Sequence, residues 1–153
     1  MWRNWALAVC AGCFAMTATS SEVGHIKVAK GASVIQRGVD KIPAVPGMKI
    51  FSADVISTGS DGAVGITFVD NSLISTGPNS VFAIDQYIFD STTHVGKFEG
   101  TLKKGTLAAI SGKMVTQVPE SMRIRTPSSI MGVRGTEFLV KVDEAPAPPS
   151  RQP

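Results

Sequence analysis

The segment RTPSSIMGVRGTEFLVKV, residues 125–142, is the most informative stretch of the chain for the fold. In its second half, Phe138, Val140 and Val142 fall on one side of an extended chain. Glu137, Leu139 and Lys141 fall on the other side. Alternation with a period of two is typical of a strand that buries one face. The first half contains Thr126-Pro127 and the pair Gly132 and Gly135, which disfavour a helix and suit a tight bend. The segment therefore predicts a bend followed by a closing strand.

The remaining sequence consists of short apolar runs separated by turn residues. Its 15 glycines and 9 prolines lie between these runs, which favours many turns over long helices. Residues 24–36 predict two short strands around a bend, residues 81–89 a central strand, and residues 90–100 an exposed hairpin tip. Residues 112–121 show the least regularity. With 153 residues, 43% of them hydrophobic, we expect one compact all-β domain of short antiparallel strands, wound as a roll or sandwich.

A weak internal repeat relates residues 57–66 to residues 75–84. Each unit is a polar, glycine-containing turn that leads into an apolar run, so the chain is expected to wind back on itself. The first unit continues into a strand whose two faces differ in size. Its large side chains fall on one face, whereas Ala63, Gly65 and Thr67 form the other. Another layer or strand can therefore pack closely against this small face.

The first twenty residues have the organisation of a secretory signal peptide. Arg3 supplies a positive charge, an apolar run covers residues 5–16, and small residues follow at 18–20. The run is shorter than the roughly 20 residues that a spanning helix requires. We expect cleavage near Ser20 and a periplasmic or secreted mature protein. An uncleaved membrane anchor and a lipoprotein acylated at Cys13 are the alternatives, and both also place the domain outside the cytoplasm.

The domain limits follow from this leader and from the composition of the C-terminus. Residues 144–153 are rich in proline and lack an apolar face, which predicts a disordered tail. The β domain is therefore expected at residues 24–143, after a signal peptide at residues 1–20, with no transmembrane span in the mature chain. Cys10 and Cys13 are the only cysteines, so cleavage near residue 20 leaves no thiol or disulfide chemistry.

The sequence lacks the side-chain combinations that catalysis or metal binding requires. The two histidines, His25 and His94, fall on a predicted strand and a predicted loop tip, where solvated side chains are expected. Asp61 and Asp70 belong to turn sequences, and no calcium-binding repeat is present. The basic residues are scattered and not set among aromatics, which disfavours nucleic-acid binding despite a net charge of +3. We predict no enzyme activity, no cofactor, no metal and no nucleic-acid partner.

Four charged residues near the C-terminus are the candidate interaction residues. Arg134 lies between two glycines, and its guanidinium is expected to be a structural clamp that ties carbonyls or a carboxylate across the bend. Contact with a partner, together with Glu137, is the alternative. Arg123 and Arg125 alternate with apolar residues, so we expect them on the solvent face of a strand, as candidates for lining a partner surface.

Three passages together resemble the FecR-type domain, a bacterial all-β module found outside the cytoplasmic membrane. The most specific passage is VRGTEF at residues 133–138. The others are residues 59–62 with the apolar run behind them, and residues 70–80, where Asp-Asn-Ser stands in place of the usual Asp-Gly-Ser turn. The resemblance covers residues 34–142. It implies a fold, a location in the envelope and a non-catalytic habit of binding protein partners.

In the regulators that gave this family its name, a cytoplasmic segment controls a sigma factor, and the periplasmic part receives a signal from an outer-membrane siderophore transporter. Only four residues precede the apolar run here, so that arrangement is not expected to carry over. We predict a non-catalytic envelope domain that acts by protein–protein contact, as a sensing or assembly component. A module that binds envelope glycan or a small ligand is one alternative, and a part of an iron–siderophore signalling system is another.

Overall fold

In the computed structural model, residues 21–135 and 137–143 are described, and they form twelve strands and one short helix. The elements are β1 (Glu22–Lys30), β2 (Ser33–Arg37), β3 (Asp40–Pro43), β4 (Lys49–Phe51), β5 (Val55–Thr58), β6 (Ala63–Phe68), β7 (Leu73–Thr76), β8 (Val81–Phe89), β9 (Gly96–Ile110), α1 (Lys113–Gln117), β10 (Met122–Arg125), β11 (Ile130–Gly132) and β12 (Glu137–Val142). The predicted leader at 1–20, with Cys10 and Cys13, and the predicted tail at 144–153 lie outside the described residues. Within those residues, no helix has the length and apolar character of a membrane span.

The strands form one curled sheet whose two halves enclose the core. Its order is β3-β2-β5-β8-β9-β7-β6-β1-β4, with β10 and β12 attached beside β9, and β11 beside β10. We call the half with β1, β4, β6, β7 and β12 sheet A, and the half with β2, β3, β5, β8, β10 and β11 sheet B. All pairings are antiparallel except that of β10 with β9. The prediction of an all-β roll is confirmed.

Strand β9 carries the chain from one half to the other. Residues 96–104 pair with β8, and residues 105–110 pair with β12. The change of sheet occurs at Gly105, whose φ is 92°. A Cβ at this position would overlap Ser80, so both the backbone conformation and the close approach require glycine. One long strand therefore joins the two halves of the sheet. From the alternation pattern alone, it would be interpreted as separate short strands.

The internal repeat corresponds to two crossings between the sheets. Residues 57–66 lead from β5 to β6, and residues 75–84 lead from β7 back to β8. The two turns contact each other through Thr58, whose hydroxyl accepts a hydrogen bond from the Ser80 amide at 2.9 Å and donates to the Gly77 carbonyl at 2.6 Å. The chain thus winds back on itself, and hydrogen bonds of the Thr58 hydroxyl hold the two crossings together.

Aromatic residues fill the centre of the core. The ring of Phe68 lies 5.2 Å from that of Tyr87 and 5.1 Å from that of Phe98. The Tyr87 hydroxyl donates to Asp70 Oδ1 at 3.0 Å, and the Ser72 hydroxyl donates to Asp70 Oδ2 at 2.6 Å. The hairpin turn predicted here is present, but its aspartate is fully buried because these donors surround it. Burial is the main cause that raises the pKa of Tyr87 above its usual value, and the charge of Asp70 is the second.

Most other local predictions match the structure, with three differences. Strand β8 pairs on both sides, as expected of a central strand. The exposed tip predicted at residues 90–100 is limited to residues 90–95, because residues 96–100 belong to β9 and Phe98 is buried. The two strands predicted in residues 24–36 exist, but β1 belongs to sheet A and β2 to sheet B, so they do not pair. The irregular segment at 112–121 contains α1, whose Met114 and Val115 are buried.

Candidate functional site

The outer face of sheet A carries a shallow groove of about 340 Å³. Its floor consists of Gly65 on β6, Ser75 on β7 and Ala108 on β9, which lie side by side in register. Val28 and Ile110 rise beside this floor, and their side chains are 42% and 43% exposed. We call this feature, with these five residues, the outer groove. It is an apolar depression on a sheet face that points to solvent.

The strand alternation explains why this face is small. The next register row, displaced by one residue, consists of Ile66, Ile74 and Ala109, and it points into the core. The large side chains are therefore used inside, which leaves small ones outside. The small face predicted at β6 is observed, and within the described residues no further layer covers it. The groove is thus a consequence of sequence alternation.

The backbone at position 65 does not require glycine, and the missing side chain leaves room in the groove. Its φ lies outside the left-handed region, and an added Cβ would lie 3.5 Å from Val28 Cβ and 3.7 Å from Ser75 Oγ. These are ordinary van der Waals distances. A larger side chain at position 65 would therefore occupy the groove without straining the strand.

The groove has charged residues on two sides. Lys27 and Lys30 line it on the β1 side, and Glu137 lines it on the β12 side. Both lysines are exposed, and neither has a carboxylate of the described residues within ion-pair distance. Glu137, one of the four predicted interaction residues, is thus placed at the groove. The arrangement offers an apolar floor with two available cations, which suits recognition of an acidic and apolar segment.

Arg134 lies in solvent, which corrects the clamp predicted for it. Its side chain is 73% exposed, and its ion pair with Glu120 is long, with Nη1 and Oε1 4.0 Å apart. The prediction assumed that the flanking glycines mark a closely packed bend. At Gly135 an added Cβ would meet nothing within 4 Å, so this part of the bend is open and not closely packed. Arg134 remains a candidate for partner contact.

Arg123 and Arg125 lie on the solvent face of β10, where the alternation places them. Arg125 Nη2 is 3.8 Å from Glu99 Oε2, and Lys97 Nζ is 3.0 Å from Glu99 Oε1. The hydrogen bond from Lys97 is the main reason why the pKa of Glu99 lies below its usual value. This cluster belongs to sheet B, whereas Glu137 belongs to sheet A. The four residues singled out in the sequence therefore do not form one site.

The tightest ion pair among the described residues joins Arg37 and Asp54, which sequence reasoning missed. Arg37 Nε donates to Asp54 Oδ1 at 2.9 Å, and Nη2 donates to Oδ2 at 2.7 Å. Arg37 also donates to the Lys49 carbonyl at 3.0 Å, and the Phe51 amide donates to Asp54 at 3.0 Å. The pair thereby satisfies backbone groups at the outer edge of β4. No motif marks two residues 17 positions apart, so only the structure reveals this clamp.

Comparison with known proteins identifies the family. A family model described as FecR protein matches residues 54–148, which is more than half of the chain. The match begins later than the resemblance at residue 34, and it includes the floor of the outer groove and strand β12. No curated protein and no solved structure matches the chain. The matched region and the all-β roll agree, and the chain belongs to the FecR family.

Proposed function

We propose that this chain is a non-catalytic protein-binding domain of the bacterial cell envelope, which acts outside the cytoplasmic membrane as a sensing or assembly component. Its family supports this, because FecR is a non-enzymatic signalling family. The observation that carries the proposal is the outer groove. An exposed apolar depression that is rimmed by polar and charged residues is a feature of protein-interaction sites.

The chemistry of the groove specifies the kind of partner segment. A floor of small side chains accepts an extended backbone closely, and alternate side chains of that segment can then rest on the floor. Lys27 and Lys30 favour carboxylates beside those apolar side chains. The partner is therefore an envelope protein that presents an extended segment of apolar and acidic residues.

A glycan-binding role has less support. Sugar rings are commonly held on flat, exposed aromatic faces. Tyr87, the only tyrosine, is 7% exposed and belongs to the core, and no other aromatic side chain of the described residues is fully exposed. Trp2 and Trp5 lie outside the described residues. The described surface therefore favours a protein over a glycan.

Filling the groove tests the proposal. The tagged full chain is incubated with envelope extract, and the captured proteins are compared for wild type, Gly65→Leu and the control Gly132→Leu. Gly132 is a matched strand glycine on β11, where an added Cβ would lie 3.5 Å from the Glu120 side chain. We expect Gly65→Leu to reduce capture of the specific partner at least about tenfold, because the groove floor is then occupied. The control should capture as well as wild type.

Two results would overturn the proposal. One is equal capture by both glycine variants, which would exclude the outer groove as the binding surface. The other is sedimentation of the domain with purified peptidoglycan in the absence of any captured protein, which would establish the glycan alternative.

A further inference from the structure

The two sheets end differently on one side of β9. Sheet B continues from β9 through β10 to β11, whereas sheet A continues only to β12. Sheet A is thus one strand shorter, and a strand position beside β12 is vacant among the described residues. A cleft of about 750 Å³ lies there. It is lined by residues 139–143, at the end of β12, and by residues 126–129, in the turn between β10 and β11.

The backbone of β12 presents unpaired groups to this vacant position. The Thr106 carbonyl accepts a hydrogen bond from Gly77, so the even-numbered residues in this part of β9 direct their amide and carbonyl groups towards β7, and the odd-numbered ones direct theirs towards β12. Because Val140 pairs with Leu107 of β9, the even-numbered residues of β12 direct their amide and carbonyl groups towards β9. The amide and carbonyl groups of the odd-numbered residues of β12 point the other way. An edge of this kind is a template for pairing with another strand.

The side chains of these odd-numbered residues form a self-complementary pattern. The residues are Glu137, Leu139 and Lys141, and all three are exposed on the outer face of sheet A. Leu139 is 71% exposed, so its side chain is available for contact with another chain. A negative charge and a positive charge thus flank a central apolar residue at equal spacing.

We propose that two copies of this chain pair through antiparallel β12 strands, about a two-fold axis at Leu139. In this register Leu139 meets Leu139 of the second copy, and Glu137 lies opposite Lys141 of the second copy, twice by symmetry. The outward backbone groups of both strands then bond to each other. A register shifted by two residues would instead place Glu137 opposite Asp143 of the second copy, where like charges repel.

Neighbouring groups do not compete strongly with this pairing. Lys141 Nζ is 3.0 Å from Asp143 Oδ1, but the side chains are 68% and 81% exposed, so this ion pair contributes little and can rearrange. The chain's own C-terminal segment, residues 144–153, includes four prolines, which have no amide hydrogen for a sheet ladder. A second β12 is therefore a better occupant of the vacant position.

The dimer would join the two outer faces of sheet A into one surface. Leu139 lies in register with Ala108, a floor residue of the outer groove, so the grooves of both copies would face the same side. The pairing is independent of the proposed function, since the Gly65→Leu experiment reports on the groove and not on the strand edge.

Charge exchange across the two-fold axis tests the dimer. Sedimentation velocity is recorded for the full chain from about 1 µM to about 1 mM, a range that covers weak edge-strand association. We expect Glu137→Lys and Lys141→Glu each to raise the dimer dissociation constant at least about tenfold, because each places like charges opposite one another twice. The double variant Glu137→Lys/Lys141→Glu should restore dimerisation, since the opposite charges are again paired.

A second pair of variants tests the apolar centre. Leu139→Ser should weaken the dimer, whereas Ile130→Ser, which changes a residue that is 65% exposed on β11, should not. The proposal is overturned if wild type remains monomeric at the highest concentration. It is also overturned if a dimer forms that neither the single charge variants nor Leu139→Ser weakens.

Discussion

The two ends of sheet A differ in whether side chains bond the backbone groups at the edge. At the β4 end, Arg37 donates to the Lys49 carbonyl, and Asp54 accepts from the Phe51 amide. A side-chain ion pair thus takes the place of a neighbouring strand. At the β12 end, the only strand partner within the described residues is β9, and the exposed Leu139 lies beside the free edge.

This difference teaches where contact with other molecules is to be sought. An unpaired sheet edge risks uncontrolled association, and proteins usually block edges that they do not use. The β4 edge is blocked by a buried carboxylate, since Asp54 is 1% exposed. Among the described residues, no buried ion pair of this kind satisfies the backbone groups at the β12 edge. The arginine that acts as a clamp is therefore Arg37 and not Arg134.

The largest effect is expected at the blocked edge. Asp54→Ala should lower the free energy of unfolding by about 3 kcal/mol, because it removes the buried carboxylate that accepts hydrogen bonds from both the Arg37 guanidinium and the Phe51 amide. Chemical denaturation with urea measures this change. Asp40→Ala, which removes an exposed carboxylate on β3, is the control and should change stability little. A loss below about 1 kcal/mol for Asp54→Ala would show that the β4 edge does not depend on the pair.

The smallest effect is expected at the open end. Arg134→Ala should change the free energy of unfolding by less than about 0.5 kcal/mol, since its side chain is 73% exposed and its ion pair is long. Arg37→Ala, measured in the same way, should be clearly more destabilising. Equal destabilisation by Arg134→Ala and Arg37→Ala would contradict this expectation and would support a clamp at the bend.

Much of the fold could be predicted from the sequence because alternation reports directly on which face of a strand is buried. Phe138, Val140 and Val142 revealed β12, and Ala63, Gly65 and Thr67 revealed the small outer face. Local patterns of this kind depend only on neighbouring residues. The function class could be predicted only through the family resemblance.

The remaining features depend on contacts between distant residues. Arg37 and Asp54 meet because β2 pairs with β5, with Gln36 opposite Val55, so that the adjoining residues at this end of the two strands lie beside each other. Nothing in their local sequence indicates this pairing. The glycines around Arg134 indicated a bend but not whether that bend is packed. The parallel pairing of β10 with β9 likewise follows from topology, as does the end of sheet A at β12 within the part of the chain that the structure describes.

The most direct test of the contrast between the two ends is amide hydrogen exchange on the full chain, followed by NMR at low protein concentration. We predict that the Leu139 amide, on the open edge, exchanges at least about tenfold faster than the Phe51 amide, which donates to Asp54. We also expect protection of Leu139 to rise with protein concentration while that of Phe51 does not. Equal protection of both amides in dilute solution would contradict the claim that sheet A is closed at β4 and open at β12.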